Sequence, residues 1–421
     1  MRRRGPRPLL LHLTLAMLKS SVSVATSPHW RNAWRTSNAA TIRRAIESGN
    51  LEAAFPRAVL QEAARQDAAL IRGIAAYRRH PWQRRIDDPP AIWAEGGSRL
   101  LDYGTPDAPA AGTVLVVPSL VNRAYVLDLA EGQSMLRWLA GQGVRPVLLD
   151  WGWPGEVERA FTLTDYVAGR LERALAALGQ PVILAGYCMG GLLAVAAAQR
   201  RPDLVRGLAL LATPWDFHAD DAARAGQAAS CLPLLEPMMA LTGTVPIDML
   251  QALFALLDPW GVAAKYRAFA RLPPDSARAG LFVALEDWLN DGVPLAAPVA
   301  RECLGGWYGR NEPARGAWRV AGLPVDPGVV RVPAFVAAPG RDRIVPPRSA
   351  RPLAQSIPGA VLHEPMAGHI GMVAGSQAEA ALWRPLLTWL RKVGASAPAG
   401  TPSPAPAMRP RKPRQRSRTT A

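Results

Sequence analysis

The 421-residue chain has little cysteine, little histidine and few aromatic residues: three Cys, six His and 7% Phe, Trp and Tyr. So few thiols exclude a disulfide scaffold in a chain this long and favour a reducing compartment. None of them lies in a Cys-x-x-Cys or Cys/His spacing, so no metal site is expected. No uninterrupted apolar run reaches the roughly 20 residues that cross a bilayer. No segment repeats, which excludes solenoids and propellers. Acidic residues are missing from both ends. Residues 1–46 hold nine Lys/Arg and residues 395–421 six, with no Asp or Glu in either. The net charge of +16 is therefore terminal, and the remaining body carries 34 basic against 33 acidic residues. That near-neutral body argues against a specific nucleic-acid partner.

An apolar content of 49% supports a large core. Residues 1–40, beginning "MRRRGPRPLLLHLTLAMLKSS", form a basic, apolar segment. It reads as a surface helix of a cytoplasmic protein, with a secretory signal as the alternative. Residues 41–96 read mainly as helix. From residue 97 to 394 short apolar strands alternate with helices: "GTVLVVPSL", "VRPVLLDWG", "PVILAGYC", "VRGLALLATP", "VPAFVAAPGRD" and "AVLHEPMAGH" are the strands. The pattern predicts an α/β fold, a mostly parallel sheet with helices on both faces and ligands at the carboxyl ends of the strands. Residues at about 215–330 break the alternation with proline-interrupted helices, as expected of a helical cap inserted over those strand ends. The Pro/Ala-rich basic tail 395–421 is expected to be disordered.

One segment carries chemistry. In "LAGYCMGGLLAVAAA" a strand runs through Gly186-Tyr187-Cys188-Met189-Gly190-Gly191 into a helix, the context of a nucleophile elbow. The glycines permit a tight turn that pushes Cys188 into the open, and the helix start behind it favours a thiolate and supplies an oxyanion donor at Met189 N–H. In such folds the nucleophile is followed by an acid after a late strand and a histidine after the last one. Asp342 in "APGRDRIVPP" and His369 in "EPMAGHIGM" have those positions. Asp216 in "TPWDFHADD" is the rival acid. A second oxyanion donor is expected from the loop "PSLVNR", at Val121 or Asn122. Trp151, Trp153 and Trp215 follow strands and either rim the pocket or pack in the core, while Cys231 and Cys303 read as ordinary cap cysteines.

A thiol nucleophile narrows the chemistry. A cysteine acyl-enzyme is a thioester, which exchanges with other thioesters at little net cost and stays activated towards a hydroxyl. Transfer from a thioester donor to an alcohol is therefore favoured over hydrolysis, although water is also a nucleophile.

The stretches "VVPSLVNRAYVLDL" (116–129), "LLDWGWPGEVERAFTLTDYV" (148–167), "LALLATPWDF" (208–217), "LEDWLNDG" (285–292) and "GRDRIVPP" (340–347) resemble polyhydroxyalkanoate synthases, most closely the catalytic subunit of the two-subunit type. The resemblance covers about residues 95–392. It implies a capped α/β-hydrolase fold and a catalytic set of Cys188, His369 and Asp342. The implied activity is polymerisation of (R)-3-hydroxyacyl-coenzyme A with release of coenzyme A, which is a substrate, with no cofactor. It further implies a cytoplasmic enzyme on the surface of a polymer granule, a homodimer, and a helical partner subunit. The basic N-terminal segment and C-terminal tail depart from the family pattern and leave the partner requirement open. A polyester depolymerase, thioesterase or dienelactone-type hydrolase with the same three residues is the alternative, since dienelactone hydrolases share Gly-Tyr-Cys-x-Gly-Gly. A catalytically idle granule- or membrane-binding protein is the third reading. Substrate-binding residues are not legible.

Overall fold

The structure, a computed structural model, describes residues 3–29, 37–49, 51–104 and 112–395. The tail expected to be disordered therefore lies, from residue 396 onward, outside the described residues. Among the described residues the main sheet has eight strands: β1 Ala91–Glu95, β2 Ser98–Asp102, β3 Thr113–Val117, β4 Arg145–Asp150, β5 Val182–Tyr187, β6 Val205–Leu211, β7 Ala334–Ala337 and β8 Val361–His363. They lie in the order β1-β2-β4-β3-β5-β6-β7-β8. The pairings of β1 with β2 and of β2 with β4 are antiparallel, and all others are parallel. Every residue of β3 and β5 is buried, as continuous apolar runs demand when helices cover both faces. Between β3 and β5 the chain reverses its direction of travel across the sheet, which opens a crevice at their carboxyl ends.

The first two strands correct the expectation of a mainly helical region up to residue 96. Helix α1 is Leu9–Thr26, α2 Ser37–Ser48 and α3 Phe55–Arg79, but residues 91–102 form a hairpin. Glu95 pairs with Ser98, so Gly96-Gly97 is a two-residue loop, and Gly96 has φ 56°. Only a residue without a Cβ turns there at no steric cost. The Gly-Gly pair between two short apolar runs was the signal in the sequence.

Helix α1 is apolar and, with the turn to His29, long enough by length and composition to cross a membrane. Counting uninterrupted runs missed it because His12 and Thr14 break the run without making the helix polar. In the structure its inner face buries His12 and Ala16, and it lies along α3.

After β6 the chain leaves the sheet and builds the cap: α4 Ala222–Ser230, α5 Leu232–Thr242, α6 Ile247–Leu257, α7 Gly261–Phe269, α8 Ala277–Asn290 and α9 Ala297–Arg301, returning to the sheet at β7. Side-chain caps start two of these helices, Asp221 accepting from Arg224 N–H and Ser276 from Ala279 N–H.

Strand, helix and loop approach closely around the end of β5. A Cβ on Gly186 would lie 2.3 Å from Gly191 Cα, one on Gly190 2.1 Å from the Val117 carbonyl oxygen, and one on Gly191 1.9 Å from Thr213 Oγ1. Backbone cannot retreat from such an overlap without separating strand from helix. Gly190→Ala should therefore destabilise the fold by about 3 kcal/mol. Urea unfolding checks this, and a loss below about 1 kcal/mol would show that the elbow tolerates looser packing.

Candidate active site

Cys188 joins β5 to a helix at Met189–Arg200. Its backbone has φ 55° and ψ −129°, a conformation that L residues rarely adopt, and it is held by Cys188 N–H donating to Leu211 O at 2.8 Å and Gly191 N–H donating to Cys188 O at 2.9 Å. The strain turns a half-buried thiol out of the core at the crevice.

His369 stands in the loop after β8, and its Nδ1 lies 2.6 Å from Asp342 Oδ2. The remaining ring nitrogen, Nε2, is not engaged by Asp342, and His369 lines the same cavity as Cys188, close enough to interact with it electrostatically. Asp342 is fixed in turn. Its Oδ1 accepts from Ile344 N–H at 2.8 Å and Val345 N–H at 2.9 Å. Both His369 and Asp342 are buried. Burial works against charge on the imidazole, but electrostatic attraction to Cys188 and Asp342 and the hydrogen bond to Asp342 outweigh it, so the His369 pKa is raised above the ordinary histidine value. Tyr187 completes the support: its hydroxyl donates to His369 O at 3.3 Å and its ring lies 5.2 Å from the imidazole. Burial pushes the Tyr187 phenol well up, which keeps it a donor.

The rival acid Asp216 is engaged elsewhere. Its Oδ1 accepts from His218 N–H and from Asn311 Nδ2, each at 2.9 Å. Met189 N–H opens the helix after the elbow, where no carbonyl four residues back is available to it. Val121 N–H differs from the expectation, because it donates to Ser119 Oγ at 3.1 Å and closes a turn within its own loop. Asn122 beside it has φ 67° and lines the same cavity.

That cavity has a volume of about 350 Å³, and Cys188, His369 and Tyr187 line it together with Gln251 and Phe254 of α6 and Trp288 of α8. Of the tryptophans after the strands, Trp151 and Trp215 are buried and Trp153 is about half exposed; none lines the cavity. Trp151 Nε1 donates to Pro118 O at 3.0 Å, which ties down the loop after β3. The tryptophan that lines the cavity is Trp288, whose Nε1 donates to Arg123 O at 2.7 Å. It stands in "LEDWLNDG", so the signal lay in a cap motif and not after a strand. Cys231 Sγ donates to Gln227 O between α4 and α5, and Cys303 is buried, which raises its thiol pKa.

The strand order and the elbow define an α/β-hydrolase-fold protein. The family described as alpha/beta hydrolase fold matches residues 112–229, the segment from β3 through the elbow to α4. Within that superfamily the chain is similar to poly(3-hydroxyalkanoate) polymerases. It is 31% identical over 316 residues to poly(3-hydroxyalkanoate) polymerase subunit PhaC of Haloferax mediterranei, covering 71% of this chain and 62% of that one. To the PhaC subunit of Allochromatium vinosum it is 28% identical, covering 72% and 88%, and to that of Synechocystis 29%, covering 66% and 77%. The chain thus spans somewhat under two thirds of the first relative's length.

Two negative groups favour the imidazolium, so removing one has a defined sign. Asp342→Asn should lower the His369 pKa, with the ring losing its proton at lower pH than in the wild type. NMR titration of the imidazole measures this, and an unchanged midpoint would show that Asp342 does not set the charge on His369.

Proposed function

We propose that the protein is an acyltransferase that polymerises (R)-3-hydroxyacyl-coenzyme A into polyester. The observation that carries this reading is a cysteine, in place of an oxygen nucleophile, lining one cavity under the cap with the histidine of a hydrogen-bonded histidine–aspartate pair. The relatives named poly(3-hydroxyalkanoate) polymerases support it.

Cys188 Sγ, its proton taken by His369, attacks the thioester carbonyl. The tetrahedral oxygen is held by Met189 N–H, and the C–S bond to coenzyme A breaks as His369 returns the proton to the leaving thiolate. His369 then removes the proton of a hydroxyacyl hydroxyl, whose oxygen attacks the acyl-enzyme. An ester C–O bond forms, the C–S bond to Cys188 breaks, and the thiol is regenerated by the imidazolium. Asp342 orients the ring and offsets its positive charge at both stages. On the same reading the enzyme works in the cytoplasm at the surface of its insoluble product, as a homodimer or with a helical partner subunit.

Incubation with (R)-3-hydroxybutyryl-coenzyme A should release free thiol and form insoluble polymer. Cys188→Ala should lower both by at least about 10³-fold. Thiol release accompanied only by soluble hydroxyacid would replace polymerisation with hydrolysis by the same three residues.

A further inference from the structure

The wall of the catalytic cavity is not built by the sheet loops and cap alone. Pro6, Arg7 and His12, from the basic segment at the start of the chain, line the same cavity as Cys188 and His369. They are separated from the elbow by more than 170 residues of sequence, so their place there depends on how the segment is fastened.

The fastening is specific. Arg3 Nε donates to Asp287 Oδ1 at 2.7 Å, and its terminal nitrogens donate to the carbonyls of His80 and Trp82. Arg7 N–H donates to Asn290 Oδ1 at 2.8 Å, and Arg7 Nε donates to Asp248 Oδ1 at 2.7 Å. Asp287 and Asn290 are on α8, and Asp248 is on α6, the two cap helices that also supply Trp288 and Gln251 to the cavity. A Cβ on Gly5 would lie 2.3 Å from the Asn290 side chain, so the segment is pressed against α8. From the other side Arg78 of α3 donates to the carbonyls of Gly5 and Arg4, both at 3.0 Å.

His12 anchors the end of this stretch. Its Nε2 lies 3.1 Å from Arg7 O, an acceptor, so Nε2 carries the proton. Burial lowers the His12 pKa and the nearby Lys265 adds to that, so the ring is neutral. A neutral imidazole and a proline ring add to the apolar part of the cavity wall, formed with Phe254, Ala255, Val262 and Leu289, while Arg7, Lys265 and Glu286 supply its charged part. At about 350 Å³ the cavity is near the small end of the roughly 300–1,000 Å³ usual for ligand sites.

We propose that residues 3–12 are a specificity-determining wall of the catalytic cavity, restricting the acyl unit delivered to Cys188 to one with a short side chain. The proposal rests on the acyl-transfer reading for its substrate, but the enclosure of Cys188 can be tested apart from it. Released from Asp287 and Asp248, the segment no longer closes the cavity, and longer side chains gain access.

Two measurements on the full chain test this. In the first, (R)-3-hydroxybutyryl- and (R)-3-hydroxyoctanoyl-coenzyme A are compared by thiol release. The wild type should favour the shorter substrate, and R3A/R7A should reduce that preference by roughly tenfold in kcat/KM. The second follows alkylation of Cys188 by iodoacetamide and by a bulky maleimide, with the modified peptide identified by mass spectrometry so that Cys231 and Cys303 do not contribute. The wild type should react far more slowly with the bulky reagent, and R3A/R7A should lose most of that difference. The charge-swapped pair R7D/D248R should restore it relative to R7D alone, which general destabilisation would not produce. If the double variant unfolds, R7A, which leaves the Arg3 anchor in place, serves with the same readouts. A wild type that turns over neither thioester defeats the acyl-transfer reading while the alkylation arm still reports on the wall. Equal reactivity of Cys188 with small and bulky reagents in the wild type, or unchanged substrate preference in a folded variant, would overturn the proposal.

Discussion

Everything at the site depends on the close backbone approach between β5, the helix after Cys188 and the loop after β3. Three side chains are missing there, at Gly186, Gly190 and Gly191, and a Cβ at any of them would collide with neighbouring backbone or with Thr213. That approach permits the turn at Cys188 with its positive φ, and the turn puts the thiol in the crevice between β3 and β5. The strain is local and is held by hydrogen bonds from the core strands on one side and the helix on the other. A nucleophile presented in this way needs no motion of its own to meet substrate.

Around that fixed point the remaining groups are arranged in order of decreasing rigidity. Asp342 is held by two backbone N–H groups and His369 by Asp342 and Tyr187, so the imidazole has one orientation towards the thiol. The charge balance follows from the same contacts. A buried imidazolium would be costly alone, but the Asp342 carboxylate bonded to the ring and the Cys188 side chain beside it raise the His369 pKa in spite of burial. Farther out, the cap and the first residues of the chain close the cavity through long side chains and ion pairs, among them Arg7 with Asp248, which is partly exposed. Such pairs hold a wall in place without making it immovable.

What could be read from residues alone varied with how local the determinant was. The elbow, the order of Cys188, Asp342 and His369, and six of the eight strands follow from short patterns: apolar runs, Gly spacing and an acid or histidine just past a strand. The β1–β2 hairpin escaped because its strands are short and its neighbours strongly helical, although Gly96-Gly97 marked it. Trp288 escaped because an aromatic residue on a helix carries no sign of which cavity it faces. Val121 was expected as a donor from its loop position, but the orientation of a single N–H depends on Ser119 two residues away.

The sequence by itself determined the fold class, the thiol nucleophile and the position of its histidine, because each is encoded in a few adjacent residues whose steric and chemical demands admit few solutions. Only the tertiary structure decided which acid pairs with His369, which tryptophan lines the cavity, and that Arg3 and Arg7 fasten the start of the chain against helices α6 and α8. Those contacts join residues up to 284 positions apart. No local pattern specifies them, because they arise from the packing of whole elements, in which each charged side chain takes the partner that burial brings within reach.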